Sequence, residues 1–288
     1  MKRSALLAAV LTVVSLIVSL PALAQSPSGM RLYVFSSGSL GGFPKGALQI
    51  GGQGNIDWAP VGFYVIKHSK GNVIFDTGNN DNTITNADGW WGPLAKGFGL
   101  KMTANDAMDA QLAKIGMKTS DIKYVVLGHM HLDHAGNMSK FPNATFVVQN
   151  DEMKAAWWPD PGYSIYYIPG DFAESKKYKY IRLDGDLDLF YDRSIQIIRA
   201  PGHTPGSQFA VVRLPKTGTI VLTSDVVYLK ESLEKDLIPP IPGTWSPMGM
   251  YQGYQKVRIV RDAENASVFF AHDPDVFKAT KQAPAFYE

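Results

Sequence analysis

The sequence predicts an α/β fold in which helices cover the faces of β-sheets. Short apolar runs of strand length recur along the chain, and segments with helical spacing separate several of them. The length of 288 residues, 45% of them hydrophobic, suits one well-buried core and is short for two domains of comfortable size. These observations favour a layered architecture in a single domain.

The predicted strands begin with a β-meander. Residues 31–35, 62–67 and 73–76 read as strands, and the turn residues 69–72 join the last two. Six further apolar runs of strand length follow, at residues 124–127, 146–148, 195–198, 209–212, 220–223 and 267–270.

Helices are predicted between these strands. Residues 104–115 have helical spacing, and Thr103 before them suits an N-cap. Residues 79–99 are polar and Gly-rich without a regular period, which predicts a long loop. Three more helices are predicted, near Ala135, near Asp151 and over residues 250–262.

The N-terminus predicts a secretory signal over residues 1–24. Lys2 and Arg3 precede an apolar run over residues 5–20, and the small-residue triplet Ala22-Leu23-Ala24 fits a cleavage site. The alternative is a retained membrane anchor, because the run is long for a signal and short for a span. We expect cleavage after Ala24 and a periplasmic or secreted protein, with no membrane contact once the signal is removed.

Charge and cysteine content exclude several classes. Without Lys2 and Arg3 the mature chain has as many basic as acidic residues, 26 of each, and no cluster of Lys and Arg. Such a chain gives no support for binding to nucleic acid or to an anionic membrane. The chain has no cysteine, which excludes a disulfide framework and a thiol nucleophile.

One string of residues predicts a metal site. His129, His131, Asp133 and His134 place four potential ligands within six residues, directly after a predicted strand. Period 2 sends His129 and His131 to the same side, and the following loop returns the other two. A solvated polar loop that happens to be rich in histidine is the alternative.

With this string, the sequence resembles the metallo-β-lactamase superfamily along the whole mature chain. Asp76-Thr77-Gly78 is similar to the family's early D-T-G turn. His203, Asp225 and His272 each end or follow a strand and resemble the remaining metal ligands. The resemblance implies a four-layer αβ/βα sandwich and one catalytic domain over residues 25–288.

The resemblance also implies a ligand set for two metal ions, which uses five of the six histidines. The remaining histidine, His68, is interpreted as solvated. The implied ligands are His129, His131, His203 and Asp225 for metal one, and Asp133, His134, Asp225 and His272 for metal two. Two Zn²⁺ ions are favoured, although Fe, Mn or Co would tolerate the same nitrogen and carboxylate ligands. Such a pair activates a shared water, so we expect hydrolysis by a metal-bridging hydroxide.

Two residues narrow the choice within the superfamily. The β-lactamases lack an aspartate at the position that resembles Asp225, so a β-lactam substrate is not expected. Oxygen-reducing members replace the second histidine of the string with glutamate, whereas this chain has His131. A flavin-linked di-iron reductase is therefore not expected either.

Tyr228 points to a particular branch. It follows Asp225 by three residues, and this D-x-x-Y spacing is similar to that of the N-acyl homoserine lactonases, which quench quorum sensing. The resemblance implies that Tyr228 donates to the substrate carbonyl oxygen. Asp133 would then deliver a proton to the departing ring oxygen. The alternative is that Tyr228 only packs between its strand and the next helix.

A lactonase for acylated substrates also needs an apolar groove beside the metals. Aromatic and methionine residues in three segments could form its walls, or could make dimer or core contacts instead. They are Trp90, Trp91 and Phe98; Trp157, Trp158, Tyr163, Tyr166 and Tyr167; and Trp245, Met248 and Met250.

Two other functions stay open at this point. A secreted organophosphate or other ester hydrolase of the same superfamily could use the same ligands with a different pocket. A periplasmic metal-binding protein could keep the fold without turnover, although two carboxylates beside the histidines argue for catalysis. A homodimer is expected from the resemblance alone.

Overall fold

The computed structural model describes residues 27–288. The predicted signal over residues 1–24 lies outside these residues. No helix in the described range is both long and apolar enough to cross a membrane.

Two β-sheets form the centre of the molecule. In the first, six strands lie in the order β1-β4-β5-β6-β7-β8. Pairing is antiparallel from β1 to β5 and parallel from β5 to β8. Their bounds are β1 Arg31–Leu40, β4 Ala59–Lys67, β5 Asn72–Phe75, β6 Ile122–Val126, β7 Thr145–Gln149 and β8 Lys179–Leu183. The predicted β-meander is thus confirmed as the antiparallel half of this sheet.

The second sheet has five strands in the order β13-β12-β11-β10-β9, antiparallel except for the pair β12 and β13. Its strands are β9 Leu187–Asp188, β10 Ile195–Arg199, β11 Gln208–Leu214, β12 Gly218–Leu222 and β13 Ser267–Phe269. A separate two-stranded ribbon joins β2 Phe43–Pro44 to β3 Asn55–Ile56.

Eight α-helices lie in the described range, and most are short. Their bounds are α1 Thr83–Trp91, α2 Pro93–Gly97, α3 Met108–Ala113, α4 Asn150–Trp157, α5 Pro169–Phe172, α6 Lys230–Lys235, α7 Pro247–Glu264 and α8 Pro274–Ala279. The longest, α7, begins at Pro247 because the Ser246 hydroxyl caps it by accepting from Gly249 N, and ends where Asn265 turns left-handed.

Alternation along the strands creates the layers. On β11, Ala210 and Val212 face the first sheet, while Phe209 and Val211 pack under Met250 and other residues of α7. The first sheet likewise buries one face against the second sheet and the other against α3 and α4. The predicted αβ/βα sandwich follows from these two double-sided sheets.

Two local predictions were wrong, and a third was right only in part. Residues 79–99 hold α1 and α2 instead of a long loop, and α1 is kinked at Asn86, where the backbone is not helical. The helix predicted over 104–115 is confirmed in part: α3 covers Met108–Ala113, whereas Ala104–Asp106, with Thr103 in a capping box before it, is a separate 3-10 turn because extended Ala107 divides the two. No α-helix forms near Ala135, where the described chain makes tight turns and the 3-10 turn Met138–Lys140. The helices near Asp151 and over 250–262 are confirmed as α4 and α7.

His68 is also not solvated. Its side chain is buried, and its ring stacks on Phe190 with the ring centroids 4.1 Å apart. Both ring nitrogens have partners, because Lys70 N donates to Nδ1 over 3.0 Å and Ser194 Oγ lies 3.2 Å from Nε2. Because the turn between the two strands folds back onto the sandwich, His68 is part of the core.

Candidate metal centre

The structure brings all seven predicted ligands to one edge of the sandwich, past the ends of their strands. His129, His131, Asp133 and His134 lie in the loop after β6, and His203 follows β10. Asp225 and His272 follow β12 and β13, which are neighbours in the second sheet. Parallel pairing of these two strands carries both side chains to the same edge.

Three histidines form a first cluster. His203 Nε2 lies 3.1 Å from His129 Nε2 and 2.9 Å from His131 Nδ1. All three side chains are buried. Burial, together with the neighbouring histidines, lowers the pKa of His129 and of His131 well below the usual value, and burial lowers that of His203 as well. Neutral rings leave lone pairs that converge on one point, as a metal requires.

Asp133, His134 and His272 form a second cluster. Asp133 Oδ2 lies 3.6 Å from His134 Nε2 and 3.4 Å from His272 Nε2, and these two nitrogens are 3.3 Å apart. Burial lowers the pKa of His134, but Asp225, Asp133 and Asp76 outweigh it and raise this pKa well above the usual value. The same negative charge would attract a divalent cation.

Asp225 lies between the two clusters and faces each with a different oxygen. Oδ2 is 3.8 Å from His129 Nε2 and 3.5 Å from His203 Nε2. Oδ1 is 3.3 Å from His134 Nε2 and 3.1 Å from His272 Nε2. Within residues 27–288, no hydrogen bond of normal geometry reaches this buried Oδ1. A carboxylate so placed fits a ligand shared by two metals, and the donor set as a whole fits a dinuclear centre.

Protein groups hold the outer ring nitrogens of His203, His272 and His134. His203 Nδ1 donates to Gly243 O over 2.9 Å, and His272 Nδ1 donates to Pro60 O over 2.9 Å. His134 Nδ1 lies 2.8 Å from Asp76 Oδ2. These contacts fix the ring orientations and leave each Nε2 free to bind a metal. His131 instead turns Nδ1 inward.

Asp76 is a site residue that the sequence indicated only as part of a family turn. Besides His134, its carboxylate accepts from Gly128 N over 2.6 Å and from Ser224 Oγ over 2.8 Å. Its backbone is left-handed, with φ 61°, which turns the side chain from the end of β5 toward the histidine loop. Asp76 therefore connects three strand ends below the metal centre.

Tyr228 lies at the metal centre, as its spacing from Asp225 predicted. Its Oη is 3.0 Å from His203 Nδ1, and its ring packs between those of His203 and His272. Burial, reinforced by Asp225 and Asp133, raises its pKa well above the usual value, so the hydroxyl keeps its proton. Because His203 Nδ1 already donates to Gly243 O, the Tyr228 proton is available to another acceptor.

A mainly apolar cavity opens over the metal centre. Asp133, Asp225 and Tyr228 lie at its floor. The remaining walls are largely apolar and come from segments far apart in sequence. They are Leu40, Phe43, Ala47, Leu48, Ala59, Trp91, Phe98, Leu132, Tyr166, Pro240 and Pro242.

Of the aromatic residues singled out in the sequence, Trp91, Phe98 and Tyr166 line this cavity. Tyr163, Tyr167 and Trp245 border a smaller cavity beside His131 and His203. The others do not reach the main cavity: Trp90 bonds to Asp171, Trp157 packs on Phe172, Trp158 and Met248 are exposed, and Met250 lies in the core under α7. The aliphatic and proline walls were missed, because single Leu, Ala and Pro residues in turns carry no periodic signal.

A fold of two sheets between helices, with these ligands at one edge, defines a class of metalloprotein. The family model of the metallo-beta-lactamase superfamily matches residues 56–272. The chain therefore belongs to the metallo-β-lactamase superfamily.

Similar relatives within this superfamily are N-acyl homoserine lactonases. The enzyme of this name, AttM, from Azorhizobium caulinodans is 34% identical over 262 residues, which cover 90% of this chain and 99% of the relative. The N-acyl homoserine lactonase of Bacillus cereus is 30% identical over 234 residues, or 81% and 89% of the two chains. The predicted resemblance to this branch is confirmed.

A solved structure agrees with these relatives. It is an N-acyl homoserine lactone hydrolase with the product N-hexanoyl-L-homoserine bound at the catalytic metal centre. It superposes with a TM-score of 0.77 at 25% identity, over 89% of this chain and 98% of the other. The predicted four-layer αβ/βα sandwich is confirmed.

Proposed function

We propose that the protein is a metal-dependent hydrolase that opens the lactone ring of N-acyl homoserine lactones and so quenches quorum sensing. The observation that carries the proposal is Tyr228, whose protonated hydroxyl lies beside His203 on the floor of an apolar cavity. The names of the similar relatives and the product bound at the metal centre of the similar structure support it.

The residues that would hold the metals are those of the two clusters with Asp225 between them. We propose Zn²⁺ for both, since imidazole and carboxylate ligands suit it, with Fe, Mn or Co as alternatives. When bound, such a pair supplies Lewis acidity and lowers the pKa of a water toward neutrality.

The chain's own groups complete the reaction. Tyr228 donates a hydrogen bond to the lactone carbonyl oxygen and stabilises the negative charge that develops there as water adds to the carbonyl carbon. Asp133 faces the cavity, where it can pass a proton from that water to the ring oxygen as the ring C–O bond breaks. The products are one carboxylate and one hydroxyl on the same molecule.

The apolar walls would receive the acyl chain. The cavity continues from the metal floor to Leu48, Trp91 and Phe98, so the polar ring and the apolar chain of one substrate each find a suitable surface. Burial of the chain would supply binding energy remote from the reacting carbonyl.

A panel assay with a Tyr228→Phe variant tests the proposal. Proton release from acyl-homoserine lactones, simple lactones, aryl esters and phosphotriesters is measured on protein of known metal content. Loss of one carbonyl donor should lower kcat on lactones by about 100- to 1,000-fold, with the metal content unchanged.

Tyr180→Phe, on β8 away from the cavity, is the matched control. Unchanged lactone turnover by Tyr228→Phe would contradict the mechanism. Preferential turnover of phosphotriesters or aryl esters would favour the alternative of a secreted organophosphate or ester hydrolase. Fewer than two metals per chain after Zn²⁺ or Co²⁺ reconstitution would count against the dinuclear centre.

We further propose that residues 1–24 are removed on export and that residues 25–288 act as one catalytic domain in the periplasm or outside the cell. The basic start, the apolar run and the triplet ending in Ala24 support this. The intact mass of protein exported by a bacterial host checks it, and a retained N-terminus would contradict it. A homodimer, proposed from the resemblance alone, is tested by the mass in solution.

A further inference from the structure

Glu152 is a buried carboxylate that neither the ligand set nor the proposed reaction uses. It is the third residue of α4, and none of its surface is exposed. A buried carboxylate is costly unless several donors satisfy it, so its contacts need an explanation.

Both carboxylate oxygens accept two hydrogen bonds each. Oε1 accepts from Met130 N over 2.8 Å and from Tyr167 Oη over 3.3 Å. Oε2 accepts from Thr204 Oγ1 over 2.5 Å and from Gly206 N over 3.2 Å. Burial raises the pKa of Glu152, and these four donors oppose that shift.

Three of these partners lie next to a ligand of the first cluster, and the fourth, Gly206, lies in the loop that carries His203. Met130 stands between His129 and His131, and Thr204 follows His203. The ring of Tyr167 packs edge-on against His131, with the centroids 4.7 Å apart. One oxygen therefore holds the loop after β6, and the other holds the loop after β10.

Packing leaves little freedom in this arrangement. A Cβ added at Gly206 would lie 2.3 Å from Glu152 N, so the loop after β10 touches the backbone of α4. Within the described chain, the hydrogen bonds of Glu152 reach the neighbours of His129, His131 and His203 and none of Asp133, His134 or His272. Its direct hydrogen bonds are confined to the surroundings of one of the two clusters.

We propose that Glu152 is a positioning residue for metal one, because it fixes the separation between His203 and the pair His129 and His131. Metal two is held by groups that Glu152 does not contact. The two metal affinities should therefore respond differently to a change at this position.

Glu152→Gln is an informative substitution because of the chemistry of the four donors. The hydroxyls of Tyr167 and Thr204 can rotate and accept from an amide NH₂. The backbone N–H groups of Met130 and Gly206 cannot. Whichever way the amide turns, its NH₂ faces one of these backbone donors, so one of the two loops loses its backbone hydrogen bond to this side chain and places two N–H groups against each other.

The experiment measures Zn²⁺ affinity by competition with a chelator, with no activity assay. His272→Ala weakens metal two and isolates metal one, whereas His203→Ala weakens metal one and isolates metal two. Adding Glu152→Gln should weaken Zn²⁺ binding about 10- to 100-fold in the His272→Ala background, the range for outer partners of metal ligands. It should leave binding unchanged in the His203→Ala background.

Glu264→Gln is the matched control, since Glu264 is bonded to Arg213 and Thr219 away from both clusters. Tyr167→Phe removes one long hydrogen bond and keeps the ring, so it should weaken Zn²⁺ binding at metal one about 2- to 10-fold. It is used in place of Glu152→Gln if that variant does not fold. Equal weakening in both backgrounds, or none in either, would overturn the proposal. Because no substrate is involved, this outcome is independent of the lactonase proposal.

Discussion

The two sides of the cavity are held by different kinds of contact. On the metal side, Asp76 and Glu152 join the ligand loops through hydrogen bonds that are buried from water. On the other side, residues 43–56 and Trp91 of α1 form a wall that packs mainly through apolar contacts, and its polar attachments include the pair of Lys45 and Glu231, whose side chains are 27% and 32% exposed.

The difference has a functional meaning. Directional, buried hydrogen bonds fix ligand positions, and small displacements at reacting groups are costly. Apolar contacts are non-directional, and exposed ion pairs contribute little, so the wall can adjust without loss of the metal centre. We infer that the metal side determines the reaction and that the wall determines which acyl group fits.

One buried carboxylate belongs to the wall side and is incompletely satisfied. Asp171 Oδ1 accepts from Trp90 Nε1 over 2.7 Å and from Asn80 Nδ2 over 2.8 Å. Its Oδ2 is buried and has no hydrogen-bond partner in the part of the chain described here. Burial raises its pKa to about 7. Asp171 holds α1, which carries Trp91, against α5.

The largest effect is expected from Asp171→Asn. The pKa of Asp171 is higher in the folded state than in the unfolded state. Folding therefore favours the protonated carboxyl, and the free energy of unfolding falls as the pH rises from about 4 to about 7. The rise in pKa from 3.8 to about 7 corresponds to a loss on the order of 4 kcal/mol in the free energy of unfolding across this pH range. The amide does not titrate, so Asp171→Asn should lose this dependence and unfold at higher urea concentration than the wild type at pH 8.

Urea unfolding of both proteins at several pH values measures the difference. Asp262→Asn, at an exposed position bonded to Arg261, is the control and should follow the wild type. If the stability of Asp171→Asn followed the same pH profile as the wild type, the wall side would contain no destabilising buried charge, and this part of the comparison would fail.

The same contrast explains what the sequence could predict. His129, His131, Asp133 and His134 lie within six residues, so their chemistry is visible in a local pattern, and strand ends at one sheet edge supply the other ligands. The layered fold was predictable because apolar runs record the strands.

Other features depend on contacts between distant segments. Glu152 lies in an ordinary helix start, and its importance comes from two loops that reach it in the folded state. Leu48 and Pro240 become neighbours in the cavity only through tertiary packing. His68 looked solvated because a turn residue gives no sign of the aromatic ring that covers it.

The smallest effect is expected from a substitution at Glu231, which helps to attach the wall. Glu231 Oε2 accepts from Lys45 and from Gln49 Nε2, the latter over 2.9 Å, and Ser232 donates to Gln49 Oε1 over 2.8 Å. Glu231→Gln removes the ion pair beside Ala47 and Leu48, which line the cavity. Since a partly exposed pair contributes about 0.2 to 1 kcal/mol, KM for long-chain acyl-homoserine lactones should change about 1.4- to 5-fold.

In this variant kcat and metal content should stay as in the wild type, because no group at the metal centre changes. Short-chain substrates should respond less, since they contact less of the wall. High salt should reduce the difference between Glu231→Gln and the wild type, because it screens the ion pair that the variant lacks. Glu234→Gln, on the same helix and paired with Lys230, is the control. A fall in kcat or in bound metal would show that the two sides are coupled, contrary to the division drawn above.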